Sequence, residues 1–260
     1  MTQIPTSTPA PGHREIVLSA RALSKSYGGL RAVRDASLDL YPGEVVALVG
    51  DNGAGKSTFV KMLSGVITPD AGTLALHGGE VRFASPTQAR EAGIETLHQN
   101  LALVDVFNVP ENIFLGRELS TRRFGVVPVL DKAAMRNRTL DLLQRIGANL
   151  PSIDRPVRTM SGGQRQAVAI ARLLLNEVRL LIMDEPMAAL GVDEGRKVLD
   201  LIAELRARGL TVLIISHNLE HVFSIADRIC VMKNGSIVGV LGAADASHDQ
   251  IVRMIVSGSR

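Results

Sequence analysis

The spacing of apolar positions changes period several times along this chain. Ala36, Leu38 and Leu40 alternate with polar neighbours, the period-two pattern of a strand with one covered face. Val45 to Val49 is apolar without a break. It is too short for a helix and fits a central parallel strand covered on both faces. Ile16 to Leu18 predicts another strand, and Leu74 to Leu76 and Val81 to Phe83 flank His77-Gly78-Gly79-Glu80 as a hairpin. The buried-strand pattern returns at Leu180 to Met183, Leu210 to Ile215 and Ile229 to Met232. Asn234-Gly235 then turns the chain into Ile237 to Val240. Two helices stand out. One puts Val198, Leu201, Ile202 and Leu205 on a single face and stops at Gly209. The other, Asp131 to Ile146, carries Ala134, Leu140, Leu143 and Ile146 at helical spacing, with Gly147 as its stop. Strands alternating with helices predict an α/β core with a mostly parallel sheet, and the stretch from about Leu101 to Arg158 reads as a helical insertion.

Composition narrows the picture. The 260 residues are 46% hydrophobic, enough for one large core or two smaller ones. Lys plus Arg number 29 against 26 Asp plus Glu, a net charge of +3 with no basic run. With two Tyr, six Phe and no Trp, neither a phosphate-backbone track nor base-stacking platforms are expected. Cys230, the single cysteine, lies in an apolar run and is expected to be a buried thiol in a reducing setting. No apolar stretch approaches the ~20 residues that cross a bilayer. Residues 1–14, rich in Thr, Pro and Ser at their start, read as a disordered tail and not a signal peptide. A membrane role would therefore have to come through a partner.

The strongest chemistry follows the Val45 to Val49 strand. Gly50-Asp51-Asn52-Gly53-Ala54-Gly55-Lys56-Ser57-Thr58 fits the complete phosphate-loop pattern, and Phe59 to Leu63 can continue as a helix. Glycines let backbone amides wrap phosphate oxygens without Cβ clashes. A helix N-terminus favours the anion, Lys56 sets a cation on the β and γ phosphates, and the Ser57 hydroxyl can ligate Mg²⁺. Asp184 and Glu185 end the apolar strand Leu180 to Met183, where ligands bind in such sheets. Asp184 is a candidate Mg²⁺ ligand and Glu185 a candidate general base, against the plainer reading of a solvated strand end. Ser161-Gly162-Gly163-Gln164 combines a capping box with two glycines in the first turn of a helix whose apolar face is Ala167, Ile170, Ala171 and Leu174. Alone it reads as a flexible capped turn; the glycines also suit close approach of a ligand.

Taken in this order, the motifs resemble the nucleotide-binding subunit of an ABC transporter, over nearly everything from Ile16 to Val240. The resemblance implies a P-loop NTPase (RecA-like) core with an N-terminal antiparallel β subdomain, covering 15–100 and 159–260, and an inserted helical subdomain at 101–158. It implies that Ser161 to Gln164 is the family signature, which in a head-to-tail homodimer caps the γ-phosphate held by the other subunit's phosphate loop. It implies that Tyr27 stacks on adenine, that Gln99 contacts Mg²⁺ and senses the membrane subunit, and that His217 senses the γ-phosphate. Tyr27 as packing, Gln99 as a loop amide and His217 as a core or capping histidine are the plainer alternatives. One departure stands out: Gly191 occupies the usual place of a cross-dimer Asp, and Met187 that of Thr, in Pro186-Met187-Ala188-Ala189-Leu190-Gly191. This form, with residues 93 to 100 and 112 to 118, is similar to monosaccharide-importer ATPases of the single-cassette type. The implied cofactors are ATP and Mg²⁺. The implied partners are transmembrane permease subunits and, through them, a substrate-binding protein, at the cytoplasmic face of the membrane. Apolar residues between Leu101 and Leu115 are expected to form the permease groove. A soluble ribosome- or DNA-acting ATPase, a phosphate-loop kinase and a weakly hydrolysing binding module are the competing readings.

Overall fold

The computed structural model describes residues 15–123, 127–188 and 190–258. The expected tail, residues 1–14, and Ala189 of the loop after Glu185 lie outside the described residues.

Two sheets share the first part of the chain. Strands β1 (Leu18–Tyr27) and β2 (Leu30–Leu40) form a long antiparallel pair, followed by β3 (Val45–Val49) and helix α1 (Lys56–Leu63). A hairpin of β4 (Ala71–Leu76) and β5 (Gly79–Val81) then returns to β1, giving an antiparallel sheet of order β2-β1-β4-β5. Its turn is His77-Gly78, tighter than the four residues expected, with positive φ at both positions (48° and 78°) as the twist of a two-residue hairpin requires. Only Leu18 of the expected Ile16 to Leu18 strand lies in β1, which runs on to Tyr27 because it is paired along both edges.

The main sheet has the order β12-β11-β3-β10-β9-β6, built from β6 (Ile94–Leu97), β9 (Leu180–Asp184), β10 (Thr211–Ile215), β11 (Arg228–Lys233) and β12 (Ser236–Gly242) around β3. All neighbours are parallel except the β11–β12 hairpin. Val45, Ala47 and Val49 face one hydrophobic cluster, and Val46 and Leu48 face the other, which lies under the antiparallel sheet and α1. Alternating faces of one strand thus serve two cores, so its apolar run has no polar interruption. Each buried Val or Leu there contributes about 1.5–3 kcal/mol. Helices α5 (Gly162–Leu173), α6 (Val192–Ala207), α7 (Leu219–Ile225) and α8 (His248–Ser257) contribute buried residues to the first cluster. Val198, Leu201, Ile202 and Leu205 form the buried face of α6, as their spacing predicts.

The stretch 101–158 holds α3 (Val109–Ile113) and α4 (Lys132–Arg145), and also a hairpin of β7 (Ser120–Arg123) and β8 (Val127–Leu130) that helical periodicity does not anticipate. The face of α4 meets expectation at Leu143 and Ile146, both buried, and departs from it elsewhere. Met135, Thr139, Leu142 and Leu143 are buried, whereas Leu140 is 42% exposed. Thr139 is tolerated inside because its hydroxyl donates to the Met135 carbonyl, a local bond that apolar counting misses.

The expected apolar groove between Leu101 and Leu115 is largely absent. Val109, Ile113 and Phe114 are buried and Leu101 and Leu103 pack on the core, leaving Val106 and Leu115 exposed. Asn112, fully buried, organises this bend. Its side chain accepts from Val104 N–H at 2.7 Å and donates to the carbonyls of Val104, Phe107 and Asn108 at 3.1–3.2 Å.

Candidate functional site

Parallel strands deliver their C-terminal ends to one edge of the sheet. The phosphate loop leaves β3, and Asp184 ends β9, where it pairs with Ile215 at the end of β10. His217 follows β10 and Gln99 follows β6. The result is a cavity of about 720 Å³ that includes Tyr27, residues 52–58, Gln99, Asp184 and Glu185 in its walls. Residues 52–58, Gln99, Asp184 and Glu185 meet here because β3, β10, β9 and β6 are successive neighbours in the main sheet, and Tyr27 joins them from the end of β1 in the antiparallel sheet.

The glycines of the loop serve different ends. A Cβ on Gly50 would lie 2.1 Å from the Met232 carbonyl oxygen, and one on Gly55, at φ 103°, would lie 2.5 Å from that of Ala32. Both are demanded by neighbouring backbone. Gly53, at φ 82°, has no neighbour within 4 Å of that position and leaves its side of the loop open. Lys56 begins α1 and donates from Nζ to the carbonyls of Gly50 at 2.7 Å and Asp51 at 2.9 Å, closing the loop on itself. Burial pushes the Lys56 ammonium below its ordinary pKa, and the carboxylates of Glu185, Asp51 and Asp184 offset this only in part. A triphosphate would supply the missing negative charge. The loop is also braced from behind: Gly235 N–H donates to the Ala54 carbonyl at 2.9 Å and the Lys233 ammonium lies 3.5 Å from Asp51.

Glu185 occupies a left-handed backbone position, φ 49°, with its N–H bonded to the Ile215 carbonyl at 3.0 Å. Non-glycine residues adopt this region at a cost, and such positions gather at functional sites. The turn carries the Glu185 carboxylate to 2.8 Å from Nδ1 of His217, which is itself 76% exposed. Tyr27 is 48% exposed at the cavity rim, so its ring is available to a ligand and is not core packing. Ser57, Asp184 and Gln99 supply the hard oxygen donors that suit Mg²⁺. Among the described residues no three His, Cys, Asp or Glu gather to hold a metal, so such an ion would draw its remaining ligands from phosphate and water.

Ser161 to Gln164 stands apart from this cavity. The capping box is present: Gln164 N–H donates to Ser161 Oγ at 3.4 Å and Ser161 N–H to Gln164 Oε1 at 3.0 Å. The two glycines have a reason within the chain as well. A Cβ on Gly162 would meet Leu190 at 2.5 Å and one on Gly163 the Glu194 carbonyl at 3.3 Å, so close packing of α5 against the start of α6 favours them. Gly191 starts α6 with no neighbour near its Cβ position. Sequence reasoning missed Arg31, Arg34, Asn234 and Gly235 as cavity residues. Asn234-Gly235 is legible as a turn, but nothing in a linear pattern tells that the turn abuts the phosphate loop.

Comparisons with known proteins agree with this geometry. A family model described as ABC transporter matches residues 33–188. The chain is 47% identical to the Fructose import ATP-binding protein FrcA of Rhizobium meliloti, across 92% of this chain and 93% of that one. It is 42% identical to the Xylose/arabinose import ATP-binding protein XylG of Sulfolobus acidocaldarius, across 93% and 94%. A crystal structure of a nucleotide-free ATP-binding cassette from an ABC transporter superposes with a TM-score of 0.78 at 25% identity, covering 94% of this chain and 96% of that one. A phosphate loop closed by its own lysine, an acidic strand end and a capped glycine helix, matched over most of the chain by relatives of this kind, mean that the chain belongs to the ABC transporter family.

Proposed function

We propose that the chain binds and hydrolyses Mg-ATP to drive import of a monosaccharide through a membrane permease. The observation that carries the reading is the convergence of Lys56, Asp184, Glu185, Gln99 and Tyr27 on one cavity at the strand ends. Residues 50–58 wrap the phosphates. Lys56 gives up its bonds to the Gly50 and Asp51 carbonyls and turns to the β and γ phosphates, a move favoured because burial already makes its unpaired charge costly. Tyr27 stacks on the base. Ser57, Asp184 and Gln99 would hold Mg²⁺, which would supply positive charge against the phosphates. Glu185 takes the proton of the attacking water, and His217, 2.8 Å from that carboxylate, holds it in place; its role toward the γ-phosphate rests on the family resemblance.

Ser161, Gly162, Gly163 and Gln164 are assigned to a second copy's nucleotide. They start a half-buried helix N-terminus, which favours an anion, yet lie outside their own chain's cavity. In this reading 15–100 and 159–260 are the ATP-binding core with its β subdomain, and 101–158 is the signature subdomain. The relatives are named as fructose and xylose/arabinose importers, which supports a monosaccharide cargo, permease partners and a place on the cytoplasmic membrane face. The test is calorimetric titration of the full chain with Mg-ATP, together with phosphate release. Saturable binding and release of inorganic phosphate are expected. Absence of binding, or transfer of the phosphoryl group to an acceptor in place of water, would refute the reading.

A further inference from the structure

The turn between β11 and β12 lies against the phosphate loop at three points. The Met232 carbonyl oxygen passes so close to Gly50 that a Cβ there would lie 2.1 Å from it. Gly235 N–H donates to the Ala54 carbonyl at 2.9 Å. Between them, the Lys233 ammonium lies 3.5 Å from a carboxylate oxygen of Asp51. The same ammonium closes the end of α8, donating to the Ile255 carbonyl at 2.5 Å and to the Val256 carbonyl. A helix leaves its last carbonyls without partners of their own, and a cation there meets the negative end of its dipole. Helix α2 (Pro86–Glu91) ends on its own backbone, with Gly93 N–H donating to the Arg90 carbonyl at 2.9 Å. Helix α8 ends on a side chain from another element, and that element supports the phosphate loop. The contact is close: a Cβ on Gly258, the left-handed cap of α8, would lie 3.5 Å from Lys233 Cδ. Ile251 and Met254, both fully buried, fix the other face of α8 to the core.

We propose that Lys233 is a positioning residue for ATP: held by the carbonyl end of α8, its ammonium fixes and neutralises Asp51, so that α8 sets the affinity of the phosphate loop. This rests on the ATP-binding reading above. Stability alone does not explain the pair. The Asp51 side chain is 57% exposed and that of Lys233 19%, and an ion pair so open to water adds little to folding. Charge at the loop explains it better. Asp51 is the one carboxylate within residues 50–58, and unpaired it would oppose the phosphates. Lys56 bonds the Asp51 backbone carbonyl and turns to the phosphates when they arrive, so it is not available to cancel that charge. Lys233 cancels it from behind, without lining the cavity itself. A shift of the α8 end would carry Lys233 away from Asp51, and by linkage a nucleotide that tightens the loop tightens the α8 end in return.

The test compares the full chain with Lys233→Met, Lys233→Arg and the double variant Lys233→Met with Asp51→Asn, by calorimetric titration with Mg-ATP and steady-state phosphate release. Lys233→Met is expected to raise Kd and KM about fivefold, with a smaller change in kcat, and the loss should shrink as salt rises. Lys233→Arg should restore affinity, and so should Asp51→Asn added to Lys233→Met, because the loop is then neutral again. An unaltered Kd in Lys233→Met, or a loss that Asp51→Asn does not relieve, would overturn the proposal and leave Lys233 as a cap of α8. Hydrogen exchange on the unmodified chain needs no variant to fold. Saturating Mg-ATP should slow exchange of the Gly258 N–H, which is bonded to the Met254 carbonyl at 2.9 Å. Equal exchange with and without nucleotide would also overturn it. If the unmodified chain binds no Mg-ATP, the ATP reading falls and this inference with it; if it binds and Lys233 makes no difference, only this inference falls.

Discussion

Glu185→Gln isolates one proton transfer. The glutamine keeps the size of the side chain and can still bond His217 across 2.8 Å, and the strained φ of 49° asks nothing new of it. The Glu185 N–H bond to the Ile215 carbonyl is untouched because it belongs to the backbone. What disappears is a carboxylate able to accept the proton of water. General-base assistance contributes about 10²- to 10⁴-fold, which at 1.36 kcal/mol per decade is about 2.7–5.4 kcal/mol of barrier. Steady-state phosphate release should fall by that factor. ATP affinity, measured by calorimetry on the same sample, should hold or rise, because a negative charge that acts on Lys56 has gone from the phosphate pocket. Phosphate release within about threefold of the unmodified chain would refute the role given to Glu185, since general-base loss cannot be that small. A large loss of ATP binding would mean that the carboxylate supports the loop and not the chemistry.

Other outcomes follow from the packing. Gly55→Ala, whose methyl would sit 2.5 Å from the Ala32 carbonyl, should cost about 2 kcal/mol or more and abolish ATP binding, whereas Gly53→Ala, with open space around it, should cost about 1 kcal/mol in thermal melting. Asn112→Leu removes four buried hydrogen bonds and should destabilise the chain by about 3 kcal/mol or more in urea unfolding; an unchanged midpoint would show that the bend does not depend on that side chain. Burial pushes the Cys230 thiol up to about 12, so alkylation with iodoacetamide at pH 8 should require denaturant, and rapid labelling of the folded chain would contradict its placement.

What the sequence determined by itself is the local part. The run Val45 to Val49, the phosphate loop after it, the capping box at Ser161 and the turn at Asn234-Gly235 each depend on residues adjacent in the chain, and each is found where the pattern puts it. The apolar face of α6 was legible for the same reason, because one core covers one stripe. Tertiary structure decided the rest. Which strands are neighbours is a matter of pairing at a distance, and only the order β3-β10-β9-β6 brings Lys56, Asp184, Glu185 and Gln99 around one cavity. The expected face of α4 holds at Leu143 and Ile146 but not at Leu140, which points outward, while Thr139 is inside because its hydroxyl bonds within its own helix. Most apolar residues from 101 to 115 turn inward because Asn112 folds that bend onto the core. Periodicity reports which residues avoid water; it does not report which neighbours allow them to.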